Sequence, residues 1–348
     1  MERVEFLWKM VERRWMMLSE AKSASGGESG GGKMEVGSRE DKKVIVIVGP
    51  TCSGKTNLSL KLAQSIPAEI ISADSRQIYK FLNIGTAKPS KYQLGKVSHH
   101  LIDILDPSEN YDVSMFEKDA EKIIKVIFEK NKAPIVVGGS GLYIKALIDG
   151  IFDTADKDDE YREILLQKRK EFGNELLYEE LKKVDPVSAC KMLPQNWKRV
   201  MRALEVYHTT GEPIWKHHQK QSSSEEKKYE FRQFGLNWDR IILYENIDKR
   251  VDEMIESGFV NEVKNILKND YDKNLNALNT VGYKEIIQHL EGEISLDRAI
   301  EIIKRNTRHY AKRQMTWFRK DERIHWFDVK KPDDFDIVAE KIAQGIQV

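Results

Sequence analysis

The chain is poor in cysteine, nearly neutral in net charge and without a long apolar run, and each shortage excludes something. Two cysteines in 348 residues, Cys52 and Cys190, cannot build a disulfide framework, so a packed core in a reducing compartment is expected to hold the fold. No apolar stretch is long enough to span a bilayer. No secretory h-region is visible near the start, and Glu2, Glu5 and Glu12 count against a mitochondrial transit peptide. A cytoplasmic, membrane-free protein is the expectation. The net charge of +1 argues neither for nor against nucleic acid, so local charge has to decide. His99 and His100 are adjacent and lack metal-ligand spacing, which makes a zinc site improbable.

What the chain does have is a phosphate-binding loop. Gly49-Pro50-Thr51-Cys52-Ser53-Gly54-Lys55-Thr56 follows the apolar run Val44 to Val48 and leads into a helical pattern from Asn57 to Ser65. Glycines let successive backbone N–H groups turn inward around an anion, and the helix N-terminus adds positive partial charge. Lys55 can reach terminal phosphate oxygens, and the Thr56 hydroxyl suits a magnesium ion. The Cys52 thiol reads as a small spacer, since backbone does the binding there. A phosphate or pyrophosphate binds here; the loop leaves open whether that group is transferred, hydrolysed or discarded.

Around this loop the pattern is α/β, a doubly wound parallel sheet of the P-loop kind with an inserted all-helical domain. Residues 1–41, with a Gly/Ser tract from Ser23 to Gly32, read as a flexible leader, and Met34 is a second candidate start. Residues 42–152 and 221–348 form the core, and 153–220 the helical insertion. Ala68 to Ser72 is a strand that delivers Asp74 at its carboxyl end, where ligand groups sit in open parallel sheets. Asp74 is therefore a candidate for chemistry and equally a candidate cap for the following turn. Ser114 and Glu117 suggest a capping box opening the next helix. Ile135 to Val137 ends in Gly138-Gly139-Ser140-Gly141, a second glycine turn bringing free N–H groups and a hydroxyl to the same edge.

The insertion predicts helices from Asp158 to Phe172 and Asn174 to Val184, a short helix capped by Asp185-Pro186, and another from Asn196 to Thr210 ending at Gly211. Trp197-Lys198-Arg199 and Arg202 alternate an aromatic with cations, favouring a polyanion grip over a plain solvated face. Beyond it, Phe231 to Leu236 returns as a strand. Helices are expected from Ile247 to Leu267, from Gly282 to Leu290 and from Ser295 to Lys320, with an edge strand at His325 to Asp328 and a last helix from Asp333 to Gln344. In the third of those helices, Lys304, Arg305, Arg308, Lys312, Arg313, Arg319 and Lys320 occur without an intervening acid, interleaved with Tyr310, Trp317 and Phe318. That is an electrostatic footprint for phosphates.

Taken in order, these stretches resemble the tRNA dimethylallyltransferases (tRNA isopentenyltransferases). The resemblance rests on Gly49 to Thr56, Ser72 to Ser75 with Ile78-Tyr79, Ile84 to Pro89, His99 to Asp103 and Val137 to Tyr143. It continues through Arg202 to Val206, Val281 to Tyr283 and Lys312 to Arg319. It implies transfer of the dimethylallyl group of dimethylallyl diphosphate to the exocyclic amine of the adenine 3′ of a tRNA anticodon, position 37, with release of diphosphate and help from Mg2+. It further implies Asp74 as base, Lys55 as stabiliser of the leaving charge, Ser140 (commonly threonine in the family) and Arg162 near the reacting centre, and Thr56 at the metal. Family positions map tRNA contacts onto Asp74, Ser75, Arg76 and Gln77; onto Lys198, Arg199 and Arg202; onto Asn279, Thr280, Gly282, Tyr283 and Lys284; and onto Lys312, Arg313, Gln314, Thr316, Trp317 and Arg319. The implied partners are the tRNA anticodon stem-loop and dimethylallyl diphosphate, with the enzyme a monomer and the insertion closing on the anticodon arm.

Other readings share some of these features. A P-loop kinase for nucleotides or other small molecules would use the loop and Asp74 equally well, but leaves the basic aromatic helix without a role. A prenyltransferase acting on free adenine nucleotides lacks a need for the RNA-facing segments. A non-catalytic RNA-binding module has no use for intact Lys55, Thr56 and Asp74.

Overall fold

The computed structural model describes residues 42–151, 158–222 and 228–347, so the leader at 1–41 lies outside it. The first half runs β1 (Lys43–Val48), α1 (Lys55–Ser65), β2 (Ala68–Ser72), α2 (Lys91–Lys96), β3 (His99–His100), α3 (Val113–Glu129), β4 (Ala133–Gly138) and α4 (Gly141–Asp149). A helical stretch follows: α5 (Asp159–Val184), α6 (Pro186–Ala189), a 3-10 turn at Pro194–Asn196, α7 (Trp197–Thr210) and α8 (Ile214–Ser222). The chain then returns through β5 (Glu230–Trp238), α9 (Arg240–Glu256), α10 (Phe259–Lys268), α11 (Tyr283–Leu290), α12 (Leu296–Phe318), β6 (Ile324–Val329) and α13 (Asp334–Gln347).

The six strands form one sheet in the order β3-β2-β4-β1-β5-β6, and every pairing is parallel. Helices cover both faces, which is why β1 is apolar throughout rather than alternating. Val44, Val46 and Val48 enter one apolar cluster while Ile45 and Ile47 enter the other, as the two-residue side-chain period requires. Register places the site. Val48 lies opposite both Gly138 and Gly235, and Ser72 opposite Val137, so β1, β4 and β2 release their chains at one edge. Approach is close there: a Cβ on Gly138 would meet the Ala73 carbonyl oxygen at 2.0 Å.

Between α4 and β5 every described element is helical, and residues such as Leu165, Leu177, Leu181, Val200 and Leu204 form an apolar cluster separate from those flanking the sheet. Gly173 breaks α5 with φ 84°, ψ −178°, at the junction expected between two helices. Asp185 caps α6 by accepting from Ser188 N, with Pro186 just inside, and Gly211 ends α7 in the left-handed region.

Three local expectations change. Asp112 rather than Ser114 caps α3, its carboxylate accepting from Ser114 N and Met115 N, and Glu117 accepts from Ile151 N instead. The helix expected from Ile247 to Leu267 is two helices, because Gly258 at φ 93° turns the chain between α9 and α10. Neither α2 nor β3 was expected, since each is too short to show a period in the sequence.

Glu69 on β2 is a buried carboxylate that holds neighbouring segments together. It bonds His100 Nε2 at 2.8 Å, Lys132 Nζ at 2.9 Å and Lys130 Nζ at 3.2 Å. Burial works to raise its pKa, but the bonds from Lys132, His100 and Lys130 outweigh that and hold it at about 2, below the ordinary 4.5. With the folded value depressed, its contribution is complete above about 4.5 and is lost as pH falls towards 2. Lys130 and Lys132 are partly in solvent, so the contribution is about 2 kcal/mol rather than the full shift. Urea unfolding of Glu69→Gln should show that loss near pH 7, and the gap to wild type should shrink as the acid limb is approached. A gap independent of pH would contradict the assignment.

Candidate active site

The sheet edge defined by β1, β2 and β4 carries a cavity of about 560 Å³. Its walls include Thr51 to Asn57, Asp74, Gln77, Thr86, Gly138, Gly139, Arg250, Tyr310 and Gln314. Lys55 and Asp74 thus face one space, with Asp74's charge felt at the Lys55 ammonium.

The loop after β1 is shaped for an anion. Cys52 sits at φ 61° and Gly54 at φ 85°, backbone conformations that fold the strand back over the start of α1. Gly54 is the N-cap and offers no side chain, so the N–H groups of the first turn of α1 stay unsatisfied beside the cavity. The loop is braced from outside. Trp238 Nε1 donates to the Ser53 carbonyl at 3.0 Å, and the Phe335 ring lies where a Cβ on Gly54 would fall, 2.1 Å away. Lys55 Nζ donates to the Pro50 carbonyl at 2.6 Å. Desolvation lowers its pKa to about 8, and the charges of Asp74 and Cys52 offset part of that fall. Burial pushes the Cys52 thiol up, which keeps it a neutral spacer.

Asp74 takes the capping role anticipated for it. Its Oδ1 accepts from Arg76 N at 2.8 Å and Gln77 N at 3.3 Å, capping the turn after β2. Oδ2 has no partner among the described residues, so one oxygen orients the carboxylate and the other is left to act on a ligand. Ser140 stands next to it, its Oγ accepting from Ser75 N at 3.2 Å. A second cavity of about 250 Å³ shares Thr51, Cys52, Asp74, Thr86, Arg250, Met254 and Tyr310 with the first. Its other walls include Ser75 and Arg76, the segment Thr280 to Gly282, and an apolar set of Val251, Phe259 and Ile303. Asp74 therefore lies where a polar, cation-lined chamber meets a more apolar one.

Several expected site residues take other places. Gln314 is buried rather than presented to a ligand: its Oε1 accepts from Thr51 N at 2.8 Å and its Nε2 donates to the Gly139 carbonyl at 2.9 Å. Tyr283 is fully buried and its hydroxyl donates to Glu262 Oε1 at 2.7 Å. Arg162 lines neither cavity; on α5 its guanidinium pairs with Glu205 at 2.7 Å. Lys304 and Arg308 are tied to Asp252 and Asp248 on α9, so the basic run on α12 is only partly free. Lys312 and Arg313 are exposed and have no ion pair among the described residues, and half-exposed Trp317 packs its ring over Gly141. Lys198, Arg199 and Arg202 lie on α7, with Lys198 near the Trp197 ring and Arg169 over that ring at 3.8 Å. Gln77 is held by Ser72 Oγ and by the Thr86 and Ala87 carbonyls.

Sequence reasoning passed over Arg250, which lines both cavities. Its neighbourhood on α9 alternates cations and acids like an ordinary solvated helix, and only the fold turns Arg250 inward. Tyr310, expected only as an aromatic interleaved with the α12 cations, is partly exposed and borders both cavities; desolvation of its hydroxyl, followed by the charge of Asp74, pushes it up to about 12.

A family model described as IPP transferase matches residues 77–321. A tRNA dimethylallyltransferase of Carboxydothermus hydrogenoformans is 47% identical over 302 residues, 86% of this chain and 96% of the relative. Among solved structures, the tRNA isopentenylpyrophosphate transferase of Bacillus halodurans superposes with TM-score 0.65 at 37% identity, covering 88% of this chain and 97% of that one. A eukaryotic dimethylallyltransferase acting on tRNA gives 0.73 at 30% identity, covering 87% of this chain and 77% of its own.

The lowered Lys55 pKa generates a test on the free protein. The ammonium is lost from the empty site as pH rises past about 8, so affinity for inorganic pyrophosphate should weaken by up to about tenfold per unit above that point. Lys55→Ala should bind at least about tenfold more weakly at pH 7 and lack that break. Titration calorimetry across pH 6.5–10, with the variant as control for the ligand's own ionisation, reads both.

Proposed function

The chain belongs to the IPP transferase family, that of the tRNA dimethylallyltransferases, and on that premise we propose how its residues carry the transfer. The reaction joins the dimethylallyl group of dimethylallyl diphosphate to the exocyclic nitrogen of the adenosine 3′ of the anticodon, position 37. The observation that carries this reading is the meeting of two chambers at Asp74. One holds an anion cradle with Lys55 and Arg250; the other is bounded by a segment expected to face RNA, Thr280 to Gly282.

The chemistry follows from what each end must stabilise. The exocyclic amine of adenine is a weak nucleophile because its lone pair is delocalised into the ring. As its nitrogen bonds to the allylic carbon, the carbon–oxygen bond to diphosphate breaks and the amine must shed a proton. Asp74 Oδ2 accepts that proton, while Oδ1 stays locked to the turn. On the other side negative charge collects on the departing diphosphate, where Lys55, Arg250 and the free N–H groups of α1 meet it without having to reorganise. Ser140 holds the Ser75 amide and so fixes the turn carrying Asp74.

The donor set fits magnesium. Thr56 offers a hydroxyl oxygen beside the cradle, the kind of hard ligand such a cation takes, and would hold the ion there. Bound there, it would supply further positive charge to the leaving group.

The RNA side rests on exposed groups. Lys312, Arg313 and Trp317 on α12, Arg319 just past its end, and Lys198 and Arg199 on α7 offer cations and an aromatic face to an anticodon stem-loop, with half-exposed Arg202 beside them on α7 and Arg162 on α5 in the same helical insertion. A base beside the anticodon has to leave its stack to enter such a site. The insertion at 153–220 is then the part that closes on the anticodon arm. No helix among the described residues is long and apolar enough to cross a membrane; the tRNA substrate supports a cytoplasmic place of work.

Mass spectrometry of tRNA nucleosides after incubation with dimethylallyl diphosphate tests the reaction, with AMP in place of tRNA and gamma-labelled ATP in place of the prenyl donor as the competing substrates. Prenylated adenosine in tRNA is expected; prenylated AMP alone would move the enzyme to free nucleotides. Asp74→Asn should keep stem-loop binding and lose about 10²–10⁴-fold in turnover, and unchanged turnover removes it as base. Reversing the charges of Lys312 and Arg313 should raise the apparent tRNA constant and reduce its logarithmic salt slope by about 1–2. A defect confined to the diphosphate would count against that surface.

A further inference from the structure

Glu262, in the first turn of α10, lines neither chamber, yet its carboxylate is the meeting point of two chain segments that do. Oε2 accepts from Asn83 N at 3.1 Å and Ile84 N at 2.7 Å. Oε1 accepts from Gly85 N at 3.2 Å and from the Tyr283 hydroxyl at 2.7 Å. One bond set therefore grips the loop carrying Gly85 and Thr86, and the other grips the start of α11, next to Thr280 and Gly282. Both are strips of the smaller chamber's wall, packed against each other. The contact between them has no slack: a Cβ on Gly85 would fall 2.3 Å from the Phe259 ring and 2.5 Å from the Tyr283 ring.

We infer that Glu262 is a positioning residue that sets the spacing between residues 83–86 and 280–283, and thereby the aperture through which the RNA base reaches Asp74. The naming of the incoming group rests on the transferase reading; the coupling of the two segments does not. A carboxylate suits the task because both oxygens accept. The isosteric amide of glutamine has one accepting oxygen, and its NH2 group would face donors on the other side. The diphosphate chamber is braced separately, through Gln314, Trp238 and Phe335, so it should not follow Glu262.

The test compares wild type, Glu262→Gln and Tyr283→Phe by amide hydrogen exchange and by binding of an anticodon stem-loop RNA and of inorganic pyrophosphate. In Glu262→Gln, exchange at 83–85 and at 280–286 should rise together by about tenfold or more, with the amides of 50–56 unchanged. RNA affinity should fall about tenfold while pyrophosphate affinity stays within about twofold. Tyr283→Phe removes a single bond and should loosen the same two segments less, which keeps the question answerable if the first variant folds poorly. Loosening of 83–85 alone, no loosening of either segment in both variants, or equal loss of RNA and pyrophosphate binding overturns the inference. If the paired loosening occurs in a protein whose wild type binds no stem-loop RNA, the coupling stands and the transferase reading is what fails.

Discussion

A single buried amide decides whether this site exists. The Gln314 side chain takes a hydrogen from the Thr51 backbone and gives one to the Gly139 carbonyl, so the two glycine turns at the sheet edge are tied through one planar group on α12. Each turn gains from that tie. Each consists of backbone that needs partners once water is excluded, and an unpaired buried group costs about 1–3 kcal/mol. The fit leaves no alternative side chain on the turn, since a Cβ on Gly139 would sit 2.3 Å from Gln314 Nε2. What looks like a loop for phosphate is therefore a joint product of β1, β4 and a helix near the C-terminus.

Charge is distributed to match that frame. The cradle concentrates positive potential from backbone and Lys55; Arg250 there lies 3.7 Å from Glu253, and the other carboxylate of the lining, Asp74, is held with half of its accepting capacity spent on its own turn. Cations farther along α12 divide by position. Those facing α9 are neutralised by Asp248 and Asp252, and the pairs, partly exposed, contribute little to stability. Those near its end remain available. A run that reads as uniform in sequence is split by the fold into a half paired with α9 and an exposed half.

How far the sequence carried the reading depends on the range of the information. The phosphate loop, the strand delivering Asp74, the break at Gly173, the Asp185-Pro186 cap and the Gly211 stop were all legible because each is specified within a few residues. The all-parallel sheet followed from strands alternating with helices. What was hidden is long-range. Gln314 and Tyr283 carry polar groups that suit an RNA surface, and only packing shows them turned inward. Arg250 and Glu262 sit in helices of mixed charge, where nothing local separates a wall residue from a solvated one. The capping of α3 was misjudged because Asp112, Ser114 and Glu117 all lie within reach of the same helix start, and geometry alone chooses among them.

The bond between Thr51 and Gln314 joins residues 263 positions apart. During synthesis the phosphate loop leaves the ribosome long before its brace, and the chain has no finished site until α12 has emerged and docked. A polypeptide ended by a premature stop between the loop and α12 would carry every residue of the loop motif and lack the side chain that ties it to the second glycine turn. The joint between the two glycine turns is thus made late in translation.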